Sequence, residues 1–256
     1  MKAQSQVDEI AFRARAEFGR QIYNLLAKGY PRVAGLSSTE FLAHVYPLLT
    51  RVTELGTSAG PESGAIPFVI VVKTDLAPAA ETIGLVERRG GAGLTVLDAD
   101  DLGGFEPLDE VTLPDGAAYL MVDIENGADT RNVTPDAALE TINRRGRSPL
   151  TVDEGVALLT HHPEAVARNA GFSLLGSRCG DRRVTAMWIS KGHPKLGWCW
   201  AGNPHTWLGS ASCAGRLESR WAQGLDEACS AHSGEPSPKA VTSTRRAPPW
   251  SRCSQR

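Results

Sequence analysis

The sequence predicts an α+β fold, because helical and strand patterns occupy separate blocks of the chain and do not alternate regularly. Apolar residues recur at helical spacing near the N-terminus, and a series of strand patterns separated by turn residues follows Phe172. A third observation is the composition of residues 229–256, which are mostly Ser, Pro, Arg and Thr with few large apolar groups. We therefore expect an N-terminal helix pair, a mostly antiparallel sheet with two further helices, and a disordered C-terminal tail.

The N-terminal block predicts two helices. The first covers about residues 6–28 and ends at Gly29, which is followed by Pro31. Ser37 and Glu40 have the spacing of a capping box, which starts the second helix. Pro47 should bend or divide that second helix, since proline cannot donate the backbone hydrogen bond.

The later elements follow from propensity and from turn signals. Thr134 and Pro135 mark the start of a helix that ends before Gly146, and Thr151 with Glu154 forms a second capping box. Runs of β-branched, aromatic and other apolar residues, bounded by turn residues, mark the strands. These strands are expected at 66–73, 94–97, 118–124, 172–175, 184–189 and 196–200.

Composition divides the chain into three parts. Residues 56–65 read as a linker rich in Gly and Ser. We therefore expect a helical segment at 1–55 that packs on the main domain, an α+β domain at 64–216, and a weakly structured to disordered tail at 217–256.

The residue types favour a cytoplasmic protein that does not enter membranes. The chain of 256 residues is 41% hydrophobic, which suffices for an ordinary core, and its start lacks the pattern of a secretory signal. The longest strongly apolar run, 66–72, is far shorter than the roughly 20 residues of a membrane-spanning helix. Five cysteines, all late in the chain, do not form a disulfide framework and indicate reduced thiols.

The distribution of charge argues against nucleic-acid binding by the folded part. Residues 229–256 hold five basic residues and one acidic residue, so they carry a net charge of +4. Because the whole chain carries −2, residues 1–228 carry −6. An acidic domain repels phosphate backbones. The sequence also lacks a phosphate loop, a dinucleotide fingerprint, a Gly-x-Ser-x-Gly elbow and a His-Glu-x-x-His motif. We therefore expect no cofactor.

One segment, His193 to Cys213, concentrates unusual residues, with three of the six tryptophans and two of the six histidines. On a strand, Trp198 and Trp200 share one face, where their indoles line either a core or a pocket. The segment also contains His and Cys residues, but their spacing matches no paired metal-binding motif, so we expect no metal.

Three hypotheses for this segment remain open. The first is a binding or interaction module for an unknown small molecule or protein, whose surface within 194–213 includes Trp198, Trp200, Asn203, His205 and Trp207. The second is an enzyme with His205 as general acid or base near Cys199 or Asp123. The third is a purely structural role, because tryptophan is most often buried.

Two charged groups have alternatives of their own. Asp123 and Glu125, at a strand end, could hold a cation or act as acid and base, or they could simply be solvated. Arg144, Arg145 and Arg147 could bind an anion, or they could complement the dipole at a helix C-terminus.

Three segments carry a resemblance to a known family. These are 146–151, 180–184 and the run of tryptophans with Asn-Pro-His within 194–209. With them the chain resembles an actinobacterial family of unknown function, domain of unknown function family 5701, over about residues 10–216. The resemblance implies no activity and transfers no catalytic residues. Residues 217–256 depart from the family's pattern.

Overall fold

The computed structural model describes residues 2–55 and 66–219, with side chains described from Glu9 onward. The predicted linker, 56–65, and the predicted tail from residue 220 onward lie outside the described residues.

The helices and strands confirm the predicted blocks and add short elements between them. The helices are α1 (Lys2–Ala27), α2 (Tyr30–Val33), α3 (Ser38–Val45), α4 (Leu49–Glu54), α5 (Ala79–Thr82), α6 (Ala99–Gly103), α7 (Pro135–Arg144) and α8 (Val152–His161). The strands are β1 (Ile66–Val72), β2 (Glu87–Arg88), β3 (Gly91–Ala92), β4 (Leu94–Thr95), β5 (Glu106–Pro107), β6 (Ala118–Glu125), β7 (Ser148–Pro149), β8 (Gly171–Leu174), β9 (Ser177–Arg178), β10 (Arg183–Ser190), β11 (His193–Trp200), β12 (Leu208–Ser210) and β13 (Ser212–Leu217).

Two larger sheets organise the domain and confirm the α+β class. Sheet 1 has the order β1-β6-β13-β7 and is antiparallel throughout. Sheet 2 has the order β12-β8-β10-β11-β4, with an antiparallel centre and one parallel pairing at each edge. Two small ladders, β2-β3 and β5-β9, complete the strands.

Helix α8 lies in the main core, where it packs on β1 and on sheet 2. Gly155 allows this close approach, because a Cβ there would overlap the side chain of Leu174 in β8 unless that side chain moved. The capping box that was predicted from Thr151 and Glu154 is present, and so is the one from Ser37 and Glu40 at α3. Pro47 divides the second N-terminal helix into α3 and α4, as predicted.

One face of sheet 1 contributes to the main core around α8, and the N-terminal helices cover the opposite face. Alternate residues of β1 explain its unbroken apolar sequence, because Val69 and Val71 enter the main core while Phe68 and Ile70 pack against the helices. Strand β1 is an edge strand, and Gln21 of α1 forms hydrogen bonds with two of its backbone groups. The buried Gln21 amide donates to the Phe68 carbonyl at 3.0 Å and accepts from the Ile70 N–H at 2.8 Å.

A buried ion pair connects α8 to β13. The Arg216 guanidinium donates to both carboxylate oxygens of Glu154, at 2.5 and 2.8 Å, and the Tyr119 hydroxyl donates to the same carboxylate at 2.9 Å. Arg216 also donates to the Ser148 hydroxyl and the Pro149 carbonyl. Both charges are therefore compensated by hydrogen bonds, which is the condition for burying them.

Candidate functional site

Trp198 and Trp200 form an exposed aromatic pair on β11. Their ring centroids lie 4.9 Å apart with planes at 70°, an edge-to-face contact. The two residues are 36% and 46% exposed, although the neighbouring Leu196 on the same face is buried in the main core. The predicted shared face of the two indoles is therefore present, and it extends past the edge of the core into solvent.

Arg183 borders this Trp pair. Its guanidinium carbon lies 5.9 Å from the Trp198 ring and 5.6 Å from the Phe105 ring. The same guanidinium donates to Asp181 at 2.8 Å and to Asp101 at 3.1 Å. The two carboxylates fix the orientation of the cation, so the indole of Trp198 is held beside a positioned charge.

The opposite face of sheet 2 carries a second aromatic group. Trp188 pairs with Lys195 across β10 and β11, and register places both on the face away from Trp198. The Trp207 ring lies 6.0 Å from Trp188, and the His205 ring lies 5.4 Å from Trp207. Gly197 leaves room for this group, since a Cβ there would overlap the Trp188 ring.

Four of the five residues that the sequence groups together thus divide into two pairs, and Asn203 belongs to neither. The structure brings Trp198 next to Trp200 on one face and His205 next to Trp207 on the other. Asn203 lies in the exposed turn between β11 and β12, where its backbone N–H donates to the Trp200 carbonyl at 3.0 Å. The sequence could not separate these sets, because it does not give the path of the chain after Trp200.

In the described part of the chain, no hydrogen bond joins His205 to Cys199 or to Asp123. The Cys199 thiol packs beneath α7, 3.8 Å from the Ser173 hydroxyl, and burial raises its pKa, which disfavours the nucleophilic thiolate. Asp123 accepts from the Arg147 guanidinium at 3.0 Å. Within the described residues, the His205 ring contacts Trp207 and makes no hydrogen bond or ion pair.

Arg147 has a role that the sequence did not predict. Arg147 donates to Asp123 and to Ser212, and its guanidinium lies 3.6 Å from a Glu125 carboxylate oxygen. It therefore links the end of β6 to the start of β13 and does not complement a helix dipole. Arg145 forms an ion pair with Asp129. The carboxylates of Asp123 and Glu125, at the end of β6, therefore share one cation of the protein itself.

The candidate metal ligands are also dispersed. His193 Nδ1 lies 2.9 Å from the Ala92 carbonyl oxygen. Cys213 is buried in the main core, where burial raises the pKa of its thiol to about 12. In the parts of the chain that the structure describes, no three His, Cys, Asp or Glu side chains are grouped to hold a metal ion.

A cavity without a local sequence signal lies at the N-terminus of α8. Asp153 lines it, and burial raises the pKa of this carboxyl to about 6. A single acid in the first turn of a helix is ordinary in a sequence, because it complements the helix dipole. Nothing in the local pattern distinguished Asp153, since its environment comes from β1, α5 and α6, which are distant in sequence.

Among residues 2–55 and 66–219, no helix has the length and apolar character needed to cross a membrane.

The fold and these surfaces define an α+β domain with an exposed aromatic pair at the edge of its second sheet. Residues 24–219 match the model of a family of unknown function, DUF5701, and the chain belongs to this family. This confirms the assignment to domain of unknown function family 5701. No curated protein matches the chain, and no solved structure matches it.

Proposed function

We propose that this chain is a cytoplasmic binding module that recognises a partner protein through the Trp198–Trp200 pair. The observation that carries the proposal is the exposure of two large indoles, 36% and 46%, beside a charge that is already fixed by carboxylates. Exposed, preordered aromatic groups next to arginine are typical of protein recognition surfaces, because they bury much area at small entropic cost.

The Trp pair lies at the end of β11 that β4 does not cover, and this position favours a partner that binds as an extended peptide. Strand β11 lies between β10 and β4 in sheet 2. Among the described residues, β4 pairs only with Lys195 and Leu196 of β11. Residues 198–200 lie beyond that pairing, so an extended peptide could add to the edge while its apolar side chains contact the indoles. Such a ligand gains specificity from alternate side chains and affinity from the backbone.

A selection of random peptides tests this proposal. Peptides displayed on phage are selected on the wild-type chain, and the enriched sequences are measured by fluorescence polarisation. We expect sequences rich in aromatic or aliphatic residues at alternate positions, and we expect W198A/W200A to weaken their binding by at least about tenfold, since aromatic anchors at interfaces typically carry that much. The control is Trp207→Ala, which removes an indole of the other face and should leave affinity unchanged.

Two results would contradict the proposal. One is that no peptide is enriched, or that the enriched peptides bind W198A/W200A as tightly as the wild type. The other is that W207A alone abolishes binding, which would move the recognition surface to the face with His205. A purely structural role gives a different pattern, in which W198A/W200A lowers the melting temperature by several degrees and the wild type selects no peptide. The enzyme hypothesis for His205 receives no specific support from the geometry.

A further inference from the structure

A cavity of about 590 Å³ lies between the end of β1, helices α5 and α6, and the first turn of α8. Its size is in the range of small-molecule sites. One wall is apolar and includes Ala79, Leu102, Phe105 and Leu113. Leu102 and Phe105 are largely buried, so the wall is formed by side chains that the fold already holds in place.

The polar side of the cavity is dominated by Asp153. Its Oδ2 accepts from the Thr74 N–H at 2.8 Å, and within the described residues no hydrogen bond to Oδ1 is found. The neighbouring Glu154 is not available to a ligand, because Arg216, Tyr119 and the backbone of Thr151 occupy its carboxylate. Asp153 is therefore the carboxyl of this helix turn that retains a free oxygen at the cavity.

The other ionisable groups at the cavity give it a negative balance. Asp75 and Glu106 line it together with Asp153, and Lys73 is the cation among the lining residues. The Lys73 ammonium donates to the Asp115 carbonyl at 3.3 Å, which occupies one of its donors outside the lining. Three carboxyl groups against one ammonium favour a cationic group in the bound molecule, and the apolar wall favours an apolar body.

We propose that this cavity binds a small amphipathic amine, whose ammonium group pairs with Asp153 and whose apolar part packs on Phe105 and Leu102. Neither Trp198 nor Trp200 lines the cavity, although Arg183 lies beside both Phe105 and Trp198. The test of this site does not depend on peptide binding. Phenethylammonium is a suitable probe, because it combines one ammonium with one aromatic ring. Phenylacetate, of similar size and opposite charge, is the matched control ligand.

The experiment measures binding of each probe to the full chain by saturation-transfer NMR and by isothermal titration at pH 7.5. At this pH Asp153 is ionised, since its pKa is about 6. We expect phenethylammonium to bind and phenylacetate not to bind. Asp153→Asn should weaken binding of the amine by at least about tenfold, because it removes a charge-assisted hydrogen bond.

Two further variants separate the cavity from unspecific charge effects. Asp109→Asn removes an exposed carboxylate that does not line the cavity and should leave the affinity unchanged. Ala99→Phe adds bulk at an exposed lining position and should weaken binding while every carboxylate is retained. Equal binding of the amine to wild type and D153N overturns the proposal, as does preferential binding of phenylacetate. It is also overturned if the folded wild type binds no amine at millimolar concentration.

Discussion

Replacing Asp153 with Asn should stabilise the protein at neutral pH. Burial raises the pKa of the Asp153 carboxyl from its ordinary 3.8 to about 6, so the folded state disfavours the ionised form. Asn has the same shape without the charge, and its carbonyl oxygen can still accept from the Thr74 N–H. The variant therefore keeps the hydrogen bond and removes the cost of partly burying a carboxylate.

The sign and size of the effect follow from the difference in pKa between the folded and unfolded states. Because the folded state holds this proton more tightly, the stability due to Asp153 is largest below pH 3.8 and is lost as the pH rises through about 6. At about 1.4 kcal/mol for each unit of pKa, the full loss is about 3 kcal/mol. The charges of Glu154 and Asp75 contribute in the same direction.

Urea denaturation of wild type and D153N between pH 4 and pH 8 measures this effect as a difference. The difference isolates Asp153, because the buried His161, whose pKa burial lowers to about 3, destabilises both proteins equally as the pH falls. We expect D153N to be more stable by about 2 to 3 kcal/mol above pH 7, with an advantage that shrinks towards pH 4. A variant that is less stable than wild type at pH 7.5, or a difference that does not change with pH, would refute the reasoning.

Two further substitutions test the buried polar groups. Glu154→Gln leaves the Arg216 guanidinium buried without its counter-charge and should lower the free energy of unfolding by about 3 kcal/mol, which urea denaturation measures. The control is Glu87→Gln, which changes an exposed carboxylate. Equal stability of the two variants would contradict the role of the Glu154–Arg216 ion pair. Gln21→Leu removes both hydrogen bonds to the β1 backbone and should cost about 2 kcal/mol. Hydrogen exchange should then show faster exchange at the Ile70 amide, and unchanged protection there would count against the role of Gln21.

The sequence allowed most of the fold to be predicted where the signal is local. The two capping boxes, the break at Pro47 and the long strands were found because each depends on neighbouring residues. Strand β13 was missed, since Gly215 and Arg216 weaken its apolar pattern. Its pairing with β6 and the burial of Arg216 against Glu154 are long-range interactions, and no local window contains them.

The sites were harder to predict than the fold. The shared face of Trp198 and Trp200 followed from the period of two along a strand, and the structure shows the two rings in contact there. The placement of His205 and Trp207 on the other face depends on how the turn after Trp200 returns to β8, which composition does not reveal. The unusual pKa of Asp153 depends on packing from three distant segments, so its sequence context looked ordinary.

The position of β13 has a consequence for the order of folding during synthesis. This strand lies between β6 and β7, and it is the last element that the structure describes. Until it has been synthesised, β6 presents an unpaired apolar edge, and Glu154 lacks the arginine that compensates its charge. Pairings of high sequence separation form slowly, and open edges favour association between incomplete chains. Truncation upstream of Ser212 should therefore yield aggregated material, even though the candidate sites at Trp198 and Asp153 would both be encoded.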